Sequence, residues 1–260
     1  MIVFGIAAYI RNDERLKGVA PWLVTFLLLF YPGHNVYFAA YAESYYVALT
    51  IVALLLRQRG WIAGASIVAG VSSLARIMGS FLTLALFVEQ IFYCIRDRRV
   101  YWRNLILSGL GLLIVAAWQV TLRSMGTSSV AAGADWAREL VSNHVPPGMN
   151  PKLWVLQYVA FSWNVEMFAF WGSVAAMVYC AVKKRYAELF YIAMFNLSMA
   201  FYLYRPFPWT RYVSVLFPIQ IMVAHGLKGR PRLTCVLIVL SVAACCYLQK
   251  DLFLGRRGEP

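Results

Sequence analysis

Of the 260 residues, 62% are hydrophobic and 13% are charged, and the mean hydropathy is +0.65. Soluble domains carry about 25% charged residues, so a water-soluble fold would have nowhere to put this much apolar surface. The formal net charge of +13 does not signal nucleic acid, because the Lys and Arg stand in twos to fours between apolar runs and form no continuous basic stripe.

Cut at its polar breaks, the chain gives apolar segments at 1–10, 19–32, 41–56, 61–75, 79–95, 104–122, 153–182, 187–204, 211–227 and 233–249. Period-2 alternation, the mark of a transmembrane barrel, does not occur. Several segments are long enough to cross a hydrocarbon core about 30 Å thick. The expected fold is therefore all-α: a polytopic transmembrane helical bundle over 1–260 as one domain, with about nine complete membrane helices after a partial first one. Met1–Ile10 has no basic n-region and no small-residue cleavage site, so it is not a cleavable signal peptide; it reads as the last ten residues of a span.

Placing RNDERLK (11–17) in the cytoplasm puts every second connection there as well: RQRG (57–60), RDRRVYWR (96–103), KKR (183–185) and KGRPR (228–232). Fifteen of the 24 Lys and Arg fall in these five loops, and the positive-inside rule selects this orientation, although Lys250, Arg256 and Arg257 then lie outside. The other face receives 31–44, 73–79, the loop 123–152 and 204–211. Spans beside these loops are short and broken by Gly and Pro, which is tolerated at membrane depth where protein or a water-filled cavity satisfies the backbone. A cavity open to the outer face is expected. In 123–152, Trp136, Leu140 and Val141 share a face, as in a short amphipathic helix on the membrane surface or an ordinary connector.

Charged groups at membrane depth are costly and become candidates for function. Glu43, in AAYAES, can cap the helix that begins there and face the cavity, or simply satisfy first-turn amides together with Ser44. Arg76 offers a planar fork of donors that suits phosphate or carboxylate; it could also snorkel to the interface or pair with Glu43. Arg205 and Arg211 flank PFPW at the same face, as an anionic lipid headgroup would require or as an aromatic belt with anchoring arginines would show. His34 is an acid or base in reach of solvent. Glu166, beside Trp163 and Asn164, fits a polar pocket, Glu89 fits a pair with a basic loop residue, and Asp135 and Glu139 fit solvated loop positions. Cys94, Cys180, Cys235, Cys245 and Cys246 follow no metal spacing and read as small packing residues. No Walker loop, dinucleotide fingerprint, zinc site or nucleophile elbow occurs, so no cofactor is expected, with a divalent metal left open.

Taken together, Pro32, Tyr41, Glu43, Ser44, Arg59, Trp61, Arg76 and Gly79 resemble the middle of the PIG-V type mannosyltransferases, which act in GPI-anchor assembly and have bacterial relatives. RYVSVLFPI, with Arg211, Tyr212, Phe217 and Pro218, is similar to that family's closing motif. The match runs in order over about two thirds of the chain. The resemblance implies a GT-C type membrane fold with an outward-facing site, a polyprenyl-phosphate-linked sugar such as phosphomannose as donor, and a glycan or glycolipid as acceptor. Substrate contacts would come from Tyr41, Glu43, Ser44, Arg76, Arg211 and His34. It also implies a catalytic Asp in the first outer loop, for which this chain has no matching stretch; Glu43 is expected to shape the site and not to replace that base. The membrane would be a bacterial cell membrane or the endoplasmic reticulum. A transporter or flippase of lipid-linked glycans and a non-catalytic membrane scaffold subunit are the alternatives, although no internal repeat of the transporter kind is visible.

Overall fold

The computed structural model describes residues 2–30, 42–76, 78–125, 150, 165–201 and 216–253, and side chains within 2–30, 44–76, 78–125, 150, 167–197 and 216–243. Among the described residues the chain is all-helical, with ten α-helices. They are α1 (Ile2–Asn12), α2 (Pro21–Leu29), α3 (Ala42–Gln58), α4 (Ile62–Ala75), α5 (Met78–Arg96), α6 (Trp102–Ser124), α7 (Val165–Val182), α8 (Tyr186–Phe201), α9 (Phe217–Gly226) and α10 (Pro231–Phe253). Each falls on one apolar segment of the sequence. Among the described residues two, α5 and α6, are long and apolar enough to cross a membrane; the nine complete spans expected from the sequence go beyond these two. The outer face of α6 is apolar over its length, with Ile106, Leu113 and Val120 each 66% exposed. A continuous apolar surface of this kind marks contact with lipid or another protein.

Local sequence explains where the helices begin and end. Pro21, Pro218 and Pro231 stand in first turns, where the missing N–H costs nothing and the fixed φ suits the helix. Three helices close in the same way. The amide of Gly60 bonds to the carbonyl of Arg57 and that of Trp61 to Leu56; Arg98 bonds to Ile95 and Arg99 to Cys94; Lys184 bonds to Ala181 and Arg185 to Cys180. This paired pattern requires a left-handed residue after the helix, and φ is +79° at Gly60, +51° at Arg98 and +54° at Lys184. A side chain is strained there. Arg98→Gly is therefore expected to raise the unfolding temperature in detergent by the equivalent of about 1 kcal/mol, measured by scanning fluorimetry.

Packing centres on α4, which lies against α3, α5 and α6, while α8 packs on α5 and α7, α1 on α2 and α3, and α9 on α2 and α7. Where α4 meets α6 the seam is made of small residues. The Ser66 hydroxyl donates to the Ser108 carbonyl (2.6 Å) and accepts from the Gly111 amide (2.8 Å). A Cβ on Gly70 would stand 2.9 Å from the Gly111 backbone. Small residues let helix backbones approach closely where water provides no driving force.

The turns after α1, α3, α5, α7 and α9 gather at one end of the bundle. Arg15 donates to the carbonyls of Lys183 (3.2 Å) and Lys184 (2.7 Å), and Lys228 Nζ to that of Lys17 (3.1 Å). Arg57 reaches Glu89 near the end of α5, and the ring of Tyr186, at the start of α8, lies against Phe92 and Tyr93 of α5 at 4.6 and 6.1 Å. These are the five basic loops that the charge pattern assigns to one side.

Candidate functional site

The α3–α4 hairpin sets the geometry of the opposite end. The turn at Gly60 reverses the chain, so α3 and α4 run antiparallel and in contact. Glu43 lies in the first turn of α3 and Arg76 follows the last residue of α4. Counted from the turn, each stands about 20 Å away at 1.5 Å per residue, so both belong to the end remote from the basic turns. Arg76 is half-buried with extended backbone (φ −151°, ψ 138°); its amide bonds to the Ser72 carbonyl (3.1 Å) and its carbonyl accepts from the Gly79 amide (2.9 Å). Ser44 is half-buried in the first turn of α3.

Tyr41, His34 and Arg211, like Arg205, Asp135, Glu139, Trp163, Asn164 and the amphipathic stretch within 123–152, lie outside the described residues, as do the side chains of Glu43 and Glu166. Of the residues that carry the family resemblance, Arg59 and Trp61 are exposed at the basic end. Gly79 has a packing reason, since a Cβ there would lie 2.3 Å from the Ser73 amide nitrogen. Phe217 and Pro218 are buried in the core, with Phe217 edge-on to Tyr9 at 5.2 Å.

Inside the bundle, polar side chains tie α3 and α7 to α8. The buried hydroxyls of Tyr46 and Tyr191 hydrogen-bond to each other. Ser173 Oγ is 3.0 Å from Asn196 Oδ1. The Tyr46–Tyr191 bond fixes α3 one turn below the start that carries Glu43, and so positions that start. The sequence offers a signal for them that charge-based reasoning passes over: a Tyr and an Asn within otherwise apolar helical segments.

At the basic end the structure builds two charged clusters. Glu89, 2% exposed, accepts two hydrogen bonds from Arg57, Nε to Oε2 at 2.6 Å and Nη2 to Oε1 at 2.7 Å. This is the expected pair with a basic loop residue, in the two-pronged form that guanidinium favours. Beyond it, Arg96 donates to Asp97 (2.8 Å) and holds that carboxyl below its usual range. The second cluster centres on Arg185, 4% exposed in the α7–α8 turn. It donates to Glu188 Oε1 (2.7 Å) and to the Tyr9 hydroxyl (2.6 Å), pairs with Asp13 Oδ2 (3.3 Å), and Tyr9 donates to the same Glu188 oxygen. Burial pushes the Arg185 guanidinium below its ordinary pKa and Asp13 opposes that shift. In the sequence Arg185 stands out only as a topology signal and Tyr9, Asp13 and Glu188 not at all; the visible hint is a carboxylate three residues after a cation. The cluster clamps α1 to α8 with Tyr9, Arg185 and Glu188 buried and Asp13 at its half-buried edge, so its role is structural.

Among the described residues, no three His, Cys, Asp or Glu side chains are grouped to hold a metal ion. No family model, curated protein or solved structure matches this chain.

Proposed function

We propose that this chain is a multi-pass membrane glycosyltransferase of GT-C type, with the five basic turns in the cytoplasm and the site at the other face. The donor is a polyprenyl-phosphate-linked sugar, mannose by the family resemblance, and the acceptor a glycan or glycolipid. The observation that supports this reading best is the antiparallel hairpin that brings Glu43 and Arg76 to one end, away from every basic turn. A cation is useful there because the leaving group is an anion.

In the transfer, the acceptor oxygen attacks the anomeric carbon from the face opposite the phosphate. The bond from that carbon to the phosphate oxygen breaks, its electron pair leaves with the polyprenyl phosphate, and the hydroxyl proton passes to a carboxylate base. Arg76 and Arg211 would stabilise the charge that develops on the departing phosphate. Glu43, Ser44, Tyr41 and His34 would shape the donor and acceptor sites. The base is not assigned to a residue of this chain.

Membranes from cells expressing the chain, supplied with labelled polyprenyl-phosphate sugars and separately with nucleotide sugars, should transfer label from the lipid-linked donors alone. Arg76→Ala and Arg211→Ala should each lower transfer about tenfold or more, the effect of losing one charged hydrogen-bond partner. Unchanged transfer in both variants removes the arginines from the site, and transfer from nucleotide sugars removes the donor class. Cysteines placed at 59, 98, 184 and 229, in a background lacking the exposed Cys235, should all react with a membrane-impermeant reagent from the same side.

A further inference from the structure

Between α2, α9 and α10, at the end that carries the basic turns, lies an open groove of about 420 Å³. Leu23, Leu227 and Ile238 make its walls apolar, and Trp22, 59% exposed, stands at its margin. Its rim is cationic: Lys228 and Arg230 are both exposed, and none of the described residues lining it is Asp or Glu. A neighbouring cavity of about 470 Å³ gives the contrast, because there Arg11 and Lys17 share the lining with Asp13 and Glu14 and the charge is balanced. Lys228 gives one N–H to the Lys17 carbonyl at 3.1 Å, which holds the ammonium at the rim and leaves two of its three donors. Gly18 and Gly229, at φ +85° and +73°, keep the rim clear; a Cβ on Gly18 would fall 2.6 Å from Lys228 Nζ.

We propose that this groove binds an anionic phospholipid, its phosphate on Lys228 and Arg230 and an acyl chain between Leu23, Leu227 and Ile238. A soluble phosphate would gain nothing from the apolar walls, and a neutral lipid nothing from the cations. On α10 the apolar surface extends beyond the groove to Val239 and Leu240, 65% and 63% exposed, which gives the chain a path into the bilayer. Trp22 sits where an indole meets headgroups, and basic pockets between helices on the cytoplasmic side suit anionic headgroups. The inference rests on the multi-pass membrane reading and not on glycosyl transfer.

To test it, the full chain in detergent is mixed with phosphatidylglycerol, phosphatidylcholine, glycerol 3-phosphate or inorganic phosphate. Bound lipid is counted by native mass spectrometry and thermal unfolding is followed in parallel. Phosphatidylglycerol should be retained and stabilise the protein, phosphatidylcholine much less so, and the soluble phosphates at the same concentration should do neither. Lys228→Gln with Arg230→Gln should weaken phosphatidylglycerol binding about 30-fold, from the usual contribution of two cations near an anionic headgroup. Ile238→Trp, which fills the groove and spares the cations, should also abolish retention, whereas Arg99→Gln at the α5–α6 turn should not. Equal retention of the two lipids, no effect of the double variant, or the same stabilisation by inorganic phosphate overturns the proposal. Carbonate extraction of membranes separates the two failures: release of the chain defeats the membrane reading, while a retained chain without preference for phosphatidylglycerol defeats the groove alone.

Discussion

Arg185→Gln should lower stability by about 3–5 kcal/mol, the loss seen when one partner of a buried ion pair is removed. The size follows from what remains: Glu188 is 6% exposed and would keep Tyr9 as hydrogen-bond donor but lose Arg185, its cation partner among the described residues. Adding Glu188→Gln to that variant should restore a large part of the loss, since the stranded carboxylate is then neutral and its amide can still bond to Tyr9. Thermal unfolding of the two single variants, the double variant and the parent in one detergent gives the coupling energy. Simple additivity would show that the three groups do not act as a unit.

Gly111→Leu should be comparably damaging, about 3 kcal/mol or more, at the upper end of overpacking effects. Even its Cβ would lie 2.2 Å from the Ser66 carbonyl oxygen and 2.7 Å from Thr83 Cγ2. The first obstacle is backbone and cannot swing away, so α4 and α6 would have to part along the seam. Gly109 supplies the control two residues earlier on the same helix: a Cβ there meets nothing within 4 Å. Gly109→Ala should be neutral or stabilising by about 0.5–1 kcal/mol, the ordinary gain of Ala over Gly in a helix. A similar loss in both variants would indicate a helix-wide effect and not the seam.

Much of the fold could be read from the residues because polar breaks between apolar runs dictate where helices stop. The turn after α3 is announced by RQRG and the turn after α7 by KKR. The left-handed residues in two of the three matching turns could not be foreseen, since Arg98 and Lys184 are not the Gly or Asn that usually mark that conformation. The α4–α6 seam was equally hidden: Ser66, Gly70 and Gly111 look like indifferent small residues until two backbones are placed side by side. In the candidate site, antiparallel pairing of adjacent segments was enough to put Glu43 and Arg76 at one end. Charge counting predicted that Glu89 would find a basic partner. It gave no means of linking Asp13 to Arg185, because that pairing depends on the turn after α1 meeting the turn between α7 and α8 and leaves no periodic trace in the chain.

The clamp on Arg185 also carries a temporal meaning. Tyr9 and Asp13 are synthesised well before Arg185, and Tyr9 meets its guanidinium partner across 176 positions of sequence. The α3–α6 body, by contrast, is assembled from neighbours in sequence and can form while the rest is still being made. Asp13 therefore gains its pair with Arg185 only once the turn at Lys184 has been synthesised, and only then is α1 locked to α8.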